Sequence, residues 1–165
     1  MSQIDPVDVR AARVSDLDDL VGLLQELFSI EADFTPDPER QRRGLALLLD
    51  GSPDRRVFVA EADGRVVGMA TVQALVSTAE GGFVGLVEDV VVARGERGRG
   101  VGRRLLAALE AWARERGLTR LQLLADRENA PALRFYGRCG WAPTRLGCLR
   151  RTLSVAAPTP SNGPS

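Results

Sequence analysis

The chain contains no histidine and no lysine. Without imidazole there is no Ser-His-Asp triad, no Cys-His pair and no histidine-ligated metal site, so proton transfer falls to carboxylate, tyrosine, cysteine, water or backbone. Without ammonium side chains, the whole basic complement is arginine, a bias that a GC-rich genome accounts for on exposed surface where the two side chains are similar. Cysteine is scarce: Cys139 and Cys148 form no disulfide framework and fit a reducing cytoplasm. Both read as packing residues, because no base lies near them in sequence. Aromatics make up 5% of the chain, too few to interleave with arginines as a nucleic-acid platform. No apolar run approaches the about 18 residues that cross a bilayer, and the acidic start "MSQIDPVDVR" has no hydrophobic signal core. These shortages point to a cytoplasmic protein that works without metal, nucleic acid or membrane.

What is present reads as one ordinary globular domain over residues 1–155, with 44% apolar and 27% charged residues in the whole chain. The remainder, "AAPTPSNGPS" at 156–165, has the composition of a disordered tail. A net charge of zero hides an asymmetry. Residues 1–93 carry 8 Arg against 17 Asp and Glu, a net of −9, and residues 94–151 carry 14 Arg against 5, a net of +9. Two mutually attracting solvated faces would satisfy this pattern, and so would an anion site in the second half facing an acidic, cation-attracting first half.

Periodicity gives the order β-α-α-β-β-β-α-β-α-β. "VDVRAA" alternates as a strand. Ser15 with Asp18 three residues on has the form of a capping box before the Leu17, Leu20, Leu24 and Leu27/Phe28 stripe. A second helix is predicted from Pro38 to near Gly51. Asp63-Gly64 joins two β-branched runs as a type I′ hairpin. "GGFVGLVEDVVV" and "RLQLLAD" are predicted strands on either side of a helix with apolar Val101, Leu105, Ala108/Leu109 and Trp112. Asn129 caps a short helix with Pro131 in its first turn and Gly140 past its end. "TRLGCLRRTL" is predicted as a last strand.

The stretch "VEDVVVARGERGRGVGRRLL" runs a strand through a glycine- and arginine-rich turn into a helix. It lacks the Gly-Lys-Ser/Thr of a P-loop, and glycines at 98, 100 and 102 miss the dinucleotide spacing. It fits R/Q-x-x-G-x-G/A as Arg97-x-x-Gly100-x-Gly102. A second stretch, "ENAPALRFYGRCGW", fits N-x-x-A-x-x-x-Y and a Gly-aromatic pair at Asn129, Ala132, Tyr136, Gly140 and Trp141. On these two motifs, in this order, the chain resembles the GNAT superfamily of N-acetyltransferases over about residues 7–153.

The resemblance implies an α+β fold: a mixed central sheet of six to seven strands with a splayed parallel pair, flanked by about four helices. It implies that the turn wraps the pyrophosphate of acetyl-CoA with backbone N–H groups from Arg97, Gly98, Arg99, Gly100, Val101, Gly102 and Arg103. That role agrees with the free donors and positive dipole end of a helix N-terminus. Gly100 and Gly102 would let the backbone approach the ligand closely. Arg104 adds charge around the turn. It further implies a bulged strand whose backbone at Val90, Val91 and Val92 bonds the pantetheine and the acetyl carbonyl, with Asn129 near the pantetheine arm. Tyr136 would protonate the leaving thiolate, although it also reads as a core aromatic.

An amine with a pKa near about 10.4 must lose a proton before it attacks. Glu88 and Asp89 are the candidate acceptors, directly or through water, and strand alternation would put them on opposite faces. "VEDVVV" itself resembles a segment of aminosugar-phosphate acetyltransferases. The expected activity is therefore transfer from acetyl-CoA to a primary amine by direct attack in a ternary complex. A non-catalytic acyl-CoA-binding or sensing module with the same fold is the alternative. The acceptor pocket would draw on "FSIEADFTPDPER" and "VSTAEGGF", neither of which carries a substrate motif. The acidic first half favours a cationic small-molecule or peptide amine, and a homodimer is compatible with the family.

Overall fold

In a computed structural model, residues 7–30 and 34–153 are described. The expected tail at 156–165, and Glu31 to Asp33 of "EADF", lie outside the described residues. The elements are β1 (Asp8–Ala11), a single 3-10 turn (Val14–Asp16), α1 (Leu17–Phe28), α2 (Pro38–Leu48), β2 (Arg55–Ala62) and β3 (Arg65–Ser77). They continue with β4 (Gly82–Val92), a 3-10 turn (Arg94–Glu96), α3 (Val101–Glu115), β5 (Leu121–Leu123) and α4 (Ala130–Arg138). The sheet runs β1-β2-β3-β4-β5 in chain order, antiparallel except for the β4–β5 pair.

Apolar stripes sort the helices onto the two faces of this sheet. Leu20, Leu23 and Leu24 of α1 and Leu45 of α2 pack on Val57, Val59, Met69 and Val91. On the other face, Leu105, Leu106, Leu109 and Trp112 of α3 pack on Ala60, Ala70, Val72 and Val87. Three layers with two cores result, with β3 and β4 at the centre. The β2–β3 turn at Asp63-Gly64 has φ of 51° and 69°, the left-handed pair that a type I′ hairpin needs.

Three local expectations differ from the structure. Ser15 does not cap α1: the Asp16 carboxylate folds back instead and accepts from the Arg13 N–H at 2.6 Å. That bond closes the 3-10 turn ahead of α1, and the same carboxylate meets Arg10, a partner that a local motif cannot see. The sheet has five strands among the described residues rather than six to seven, and residues 144–153 form no strand. Their leucines 146, 149 and 153 are exposed, so this stretch has the apolar content of a strand without a face to bury it on. Finally, β5 is only three residues long, much shorter than "RLQLLAD".

Candidate active site

Three features converge where β4 leaves the sheet. The first is a change of pairing. Parallel bonding between β4 and β5 covers Gly85↔Leu121, Leu86↔Gln122 and Val87↔Leu123, then stops, while β4 continues to Val92. Past Val87, one edge of β4 stays with β3 and the other has no strand beside it among the described residues. The parallel pair thus ends partway along β4, on the side where the family resemblance implies a splay.

The second feature is a bulge. Ala70 opposes Val90 and Val72 opposes Val87, so Glu88 and Asp89 share the single residue Thr71. The extra residue re-phases the strand. Val87, Val90 and Val92 all face the α3 layer, and Val91 faces α1. Simple alternation of Glu88 and Asp89 therefore fails as a description, because both sit inside the irregularity. Glu88 is exposed and Asp89 is half-buried. The Asp89 N–H donates to Thr71 Oγ1 at 3.0 Å, and the Thr71 hydroxyl donates to Asp89 Oδ2 at 3.4 Å. Thr71 is fully buried. Its only trace in sequence is a hydroxyl within the apolar run "GMATVQAL".

The third feature is the turn. Gly98 and Gly100 have φ of 77° and 80°, and the direction of a Cβ on either is open. Their glycines are required by backbone conformation. The first bond of α3 runs from the Arg104 N–H to the Gly100 carbonyl at 3.2 Å, which leaves the earlier N–H groups of Val101, Gly102 and Arg103 at the helix mouth. Gly102 has another reason to be small: a Cβ there would lie 2.9 Å from Phe135 Cζ, so α4 packs directly on the start of α3.

The turn's arginines divide between protein and solvent. Arg97 Nε donates to the Val92 carbonyl at 2.9 Å, and its Nη2 lies 4.0 Å from Glu26 Oε2. The same Glu26 oxygen accepts from the Arg94 N–H at 3.2 Å. Arg99 pairs with Glu96. Arg104 reaches back to the Val7 carbonyl at 2.9 Å, and Arg103 is exposed. The guanidiniums of Arg97 and Arg99 thus help to build the turn. Glu26, the tenth residue of a helix whose sequence reads as amphipathic, gave no sequence signal for this bracing role.

Asn129 caps α4 as expected, its Oδ1 accepting from the Ala132 N–H at 3.1 Å. Tyr136 lies on α4 in the α3 layer, half-buried, with its ring 5.2 Å from that of Phe135 and 6.1 Å from that of Trp141. On the α1 side, Phe34 stacks on Phe28 at 5.2 Å, and the Arg150 guanidinium lies over Phe34 at 5.1 Å. The C-terminal stretch therefore returns to the α1–α2 connection.

A strand splayed at a bulge and followed by a glycine-turned helix mouth defines a class, and comparison with known proteins agrees. The model of the GNAT acetyltransferase family matches residues 19–141. The chain belongs to that family and is an N-acetyltransferase. It is 31% identical to an aminoalkylphosphonate N-acetyltransferase of Salmonella typhimurium, over 81% of this chain and 84% of that one. It is 42% identical to a streptothricin acetyltransferase of Streptomyces lavendulae over 54% of this chain, and spans about half of that protein, 46%. The fold superposes on AAC(6')-Iy in complex with the bisubstrate analogue CoA-S-monomethyl-acetylneamine with a TM-score of 0.75 and 21% identity, covering 91% of this chain and 100% of that one. Acetyl-CoA is the acyl donor of the family, and the open cradle at Gly98 and Gly100 before the α3 mouth suits a pyrophosphate.

Proposed function

We propose that the chain acetylates a cationic primary amine by direct attack on the acetyl-CoA thioester within a ternary complex. The observation that carries this reading is the coincidence, at one end of β4, of the bulge carboxylates, the unpaired strand edge and the helix-capped turn. Acetyl-CoA supplies an activated acyl group there. The N–H groups at the mouth of α3 hold its pyrophosphate, with Arg103 adding charge. The open edge of β4 at Val90, with the Val92 N–H, bonds the pantetheine and polarises the acetyl carbonyl, while the ladder pair with Met69 turns the Val91 N–H and carbonyl toward β3. Val92 contributes less, because its carbonyl already accepts from Arg97. Asp89, held in the bulge, takes the amine proton, with Glu88 as the solvent-side carboxylate. Tyr136 returns a proton to the thiolate.

Two features favour a cationic acceptor. Residues 1–93 carry the −9 net charge. Arg40 and Arg42, which could have met a substrate anion, instead lie 3.5 Å from Asp37 and 2.5 Å from Asp18. The test is acetyl-CoA turnover with neamine, spermidine, glycinamide and aminomethylphosphonate, with products identified by mass, followed by Tyr136→Phe. The phenylalanine keeps the ring contacts and removes the proton. The expected loss in kcat is roughly 10²-fold or more with the acetyl-CoA KM little changed. Wild-type kcat in a folded Tyr136→Phe, where chemistry limits turnover, removes Tyr136 from the mechanism. Binding of acetyl-CoA without turnover of any amine leaves only a binding module.

A further inference from the structure

We propose that Thr71 is a positioning residue for the transfer reaction, its hydroxyl holding the β4 bulge and aiming the Asp89 carboxylate. The inference rests on the reading of Asp89 as the group that takes the amine proton. A bulge leaves an extra backbone N–H without a ladder partner, and a buried unpaired N–H is costly. Here the Asp89 N–H finds Thr71 Oγ1 at 3.0 Å. The threonine hydroxyl, itself 0% exposed, needs an acceptor in turn, and Asp89 Oδ2 lies 3.4 Å away. Both ends of one residue, its N–H and its carboxylate, are thus tied to a single oxygen.

The geometry suits threonine in particular. Its neighbours Ala70 and Val72 are core residues of the α3 layer, and Met69 is a core residue of the α1 layer. A β-branched side chain fits the middle of such a strand. Valine at 71 has the same shape and packs equally well, but removes the Thr71 acceptor of the bulge N–H and the Thr71 donor to the carboxylate. Serine keeps the hydroxyl and loses only a methyl. The shape and the hydrogen bonds can therefore be separated experimentally.

The experiment compares Thr71→Val, Thr71→Ser, Asp89→Asn and the Thr71→Val/Asp89→Asn double variant. It uses acetyl-CoA and whichever of neamine, spermidine, glycinamide or aminomethylphosphonate turns over fastest. Thr71→Val should lower kcat/KM for the amine about tenfold or more, with the acetyl-CoA KM little changed. It should also move the acidic limb of the kcat/KM profile to higher pH, because a hydroxyl donating to a carboxylate favours the ionised form. Thr71→Ser should restore most of both. In the Asp89→Asn background, Thr71→Val should cost clearly less than in the wild type, since the carboxylate it aims is gone and only the bulge N–H it holds remains.

An equal loss in both backgrounds would show that Thr71 acts through strand stability alone, and would overturn the proposal. So would wild-type kcat/KM and an unmoved acidic limb in folded Thr71→Val. If Asp89→Asn is itself fully active, the assignment of the base fails and takes this inference with it. A damaged Asp89→Asn beside a normal Thr71→Val refutes this inference alone. Should the valine variant not fold, Thr71→Ala replaces it against the same serine control.

Discussion

Asp16 holds the Arg10 guanidinium in a fork, with Arg10 Nη1 2.8 Å from one carboxylate oxygen and Nη2 3.0 Å from the other. Arg10 also reaches Glu61 Oε2 from Nη2 at 2.8 Å and Nε at 3.0 Å, which ties the β1–α1 turn to β2. The Arg10 hydrogen bonds hold the Asp16 carboxyl below its ordinary value of 3.8, against the opposing effect of burial, with the Arg13 N–H adding to the lowering. Arg10 is in turn held further into its charged form, first by its hydrogen bond to Asp16. A carboxylate lowered in the folded state stabilises fully above its unfolded pKa and loses that contribution as pH falls through the folded one. Asp16→Asn should therefore destabilise at neutral pH by about 2 kcal/mol, with the gap to wild type narrowing progressively below about pH 4. Urea titrations across that range decide it, and a pH-independent gap would assign the loss to packing. The same residue shows where sequence falls short. A capping pattern was legible at Ser15 and Asp18, but Asp16 takes the place at the start of α1 because it meets Arg10, which in turn meets Glu61, contacts made by the fold.

At the scale of elements, features set by neighbours in sequence were legible. The Asp63-Gly64 hairpin, the Asn129 cap and the strand–turn–helix at Arg97 to Gly102 each depend on a few consecutive residues. The β4 bulge was not readable from β4, because a bulge is a relation between two strands and Thr71 lies on the other one. The absent last strand has a similar cause, since its apolar pattern promises burial only if a neighbouring edge accepts it. Gly102 joins the two cases: a motif glycine whose packing partner, Phe135, lies one strand and one helix later in the chain. That contact couples the mouth of α3 to α4, where Tyr136 is the next residue. Gly102→Ala should push the Phe135 ring away, costing about 1 kcal/mol of stability. It should lower kcat about tenfold, more than it raises the acetyl-CoA KM, by displacing Tyr136. Adding Phe135→Leu should recover much of the kcat. Weakened acetyl-CoA binding at unchanged kcat would instead assign the glycine to the ligand.

For the whole molecule, the charge division visible in the sequence survives folding in a specific form. In the acidic half, Arg10, Arg40, Arg42 and Arg55 are each paired with nearby carboxylates, and the net charge of −9 remains in excess of these pairs. In the basic half, Arg94, Arg97, Arg99, Arg103 and Arg104 gather at one helix mouth. On the proposed reading the two co-substrates would meet between these regions: an anionic donor on the arginine side and an amine approaching the bulge carboxylates. Fields of opposite sign would sort them before contact, each raising the local concentration of its own ligand. With acetyl-CoA kept saturating, so that only the amine is followed, kcat/KM for neamine should fall about three- to tenfold between roughly 20 mM and 300 mM salt. For neutral-headed glycinamide the slope should be shallower, in proportion to its smaller charge. Aminomethylphosphonate tests the opposite sign: its kcat/KM should be low and should rise as salt screens the repulsion. If aminomethylphosphonate outperforms neamine at low salt, the acceptor is anionic like that in the name of the Salmonella relative, and the acidic half serves some purpose other than capturing the amine.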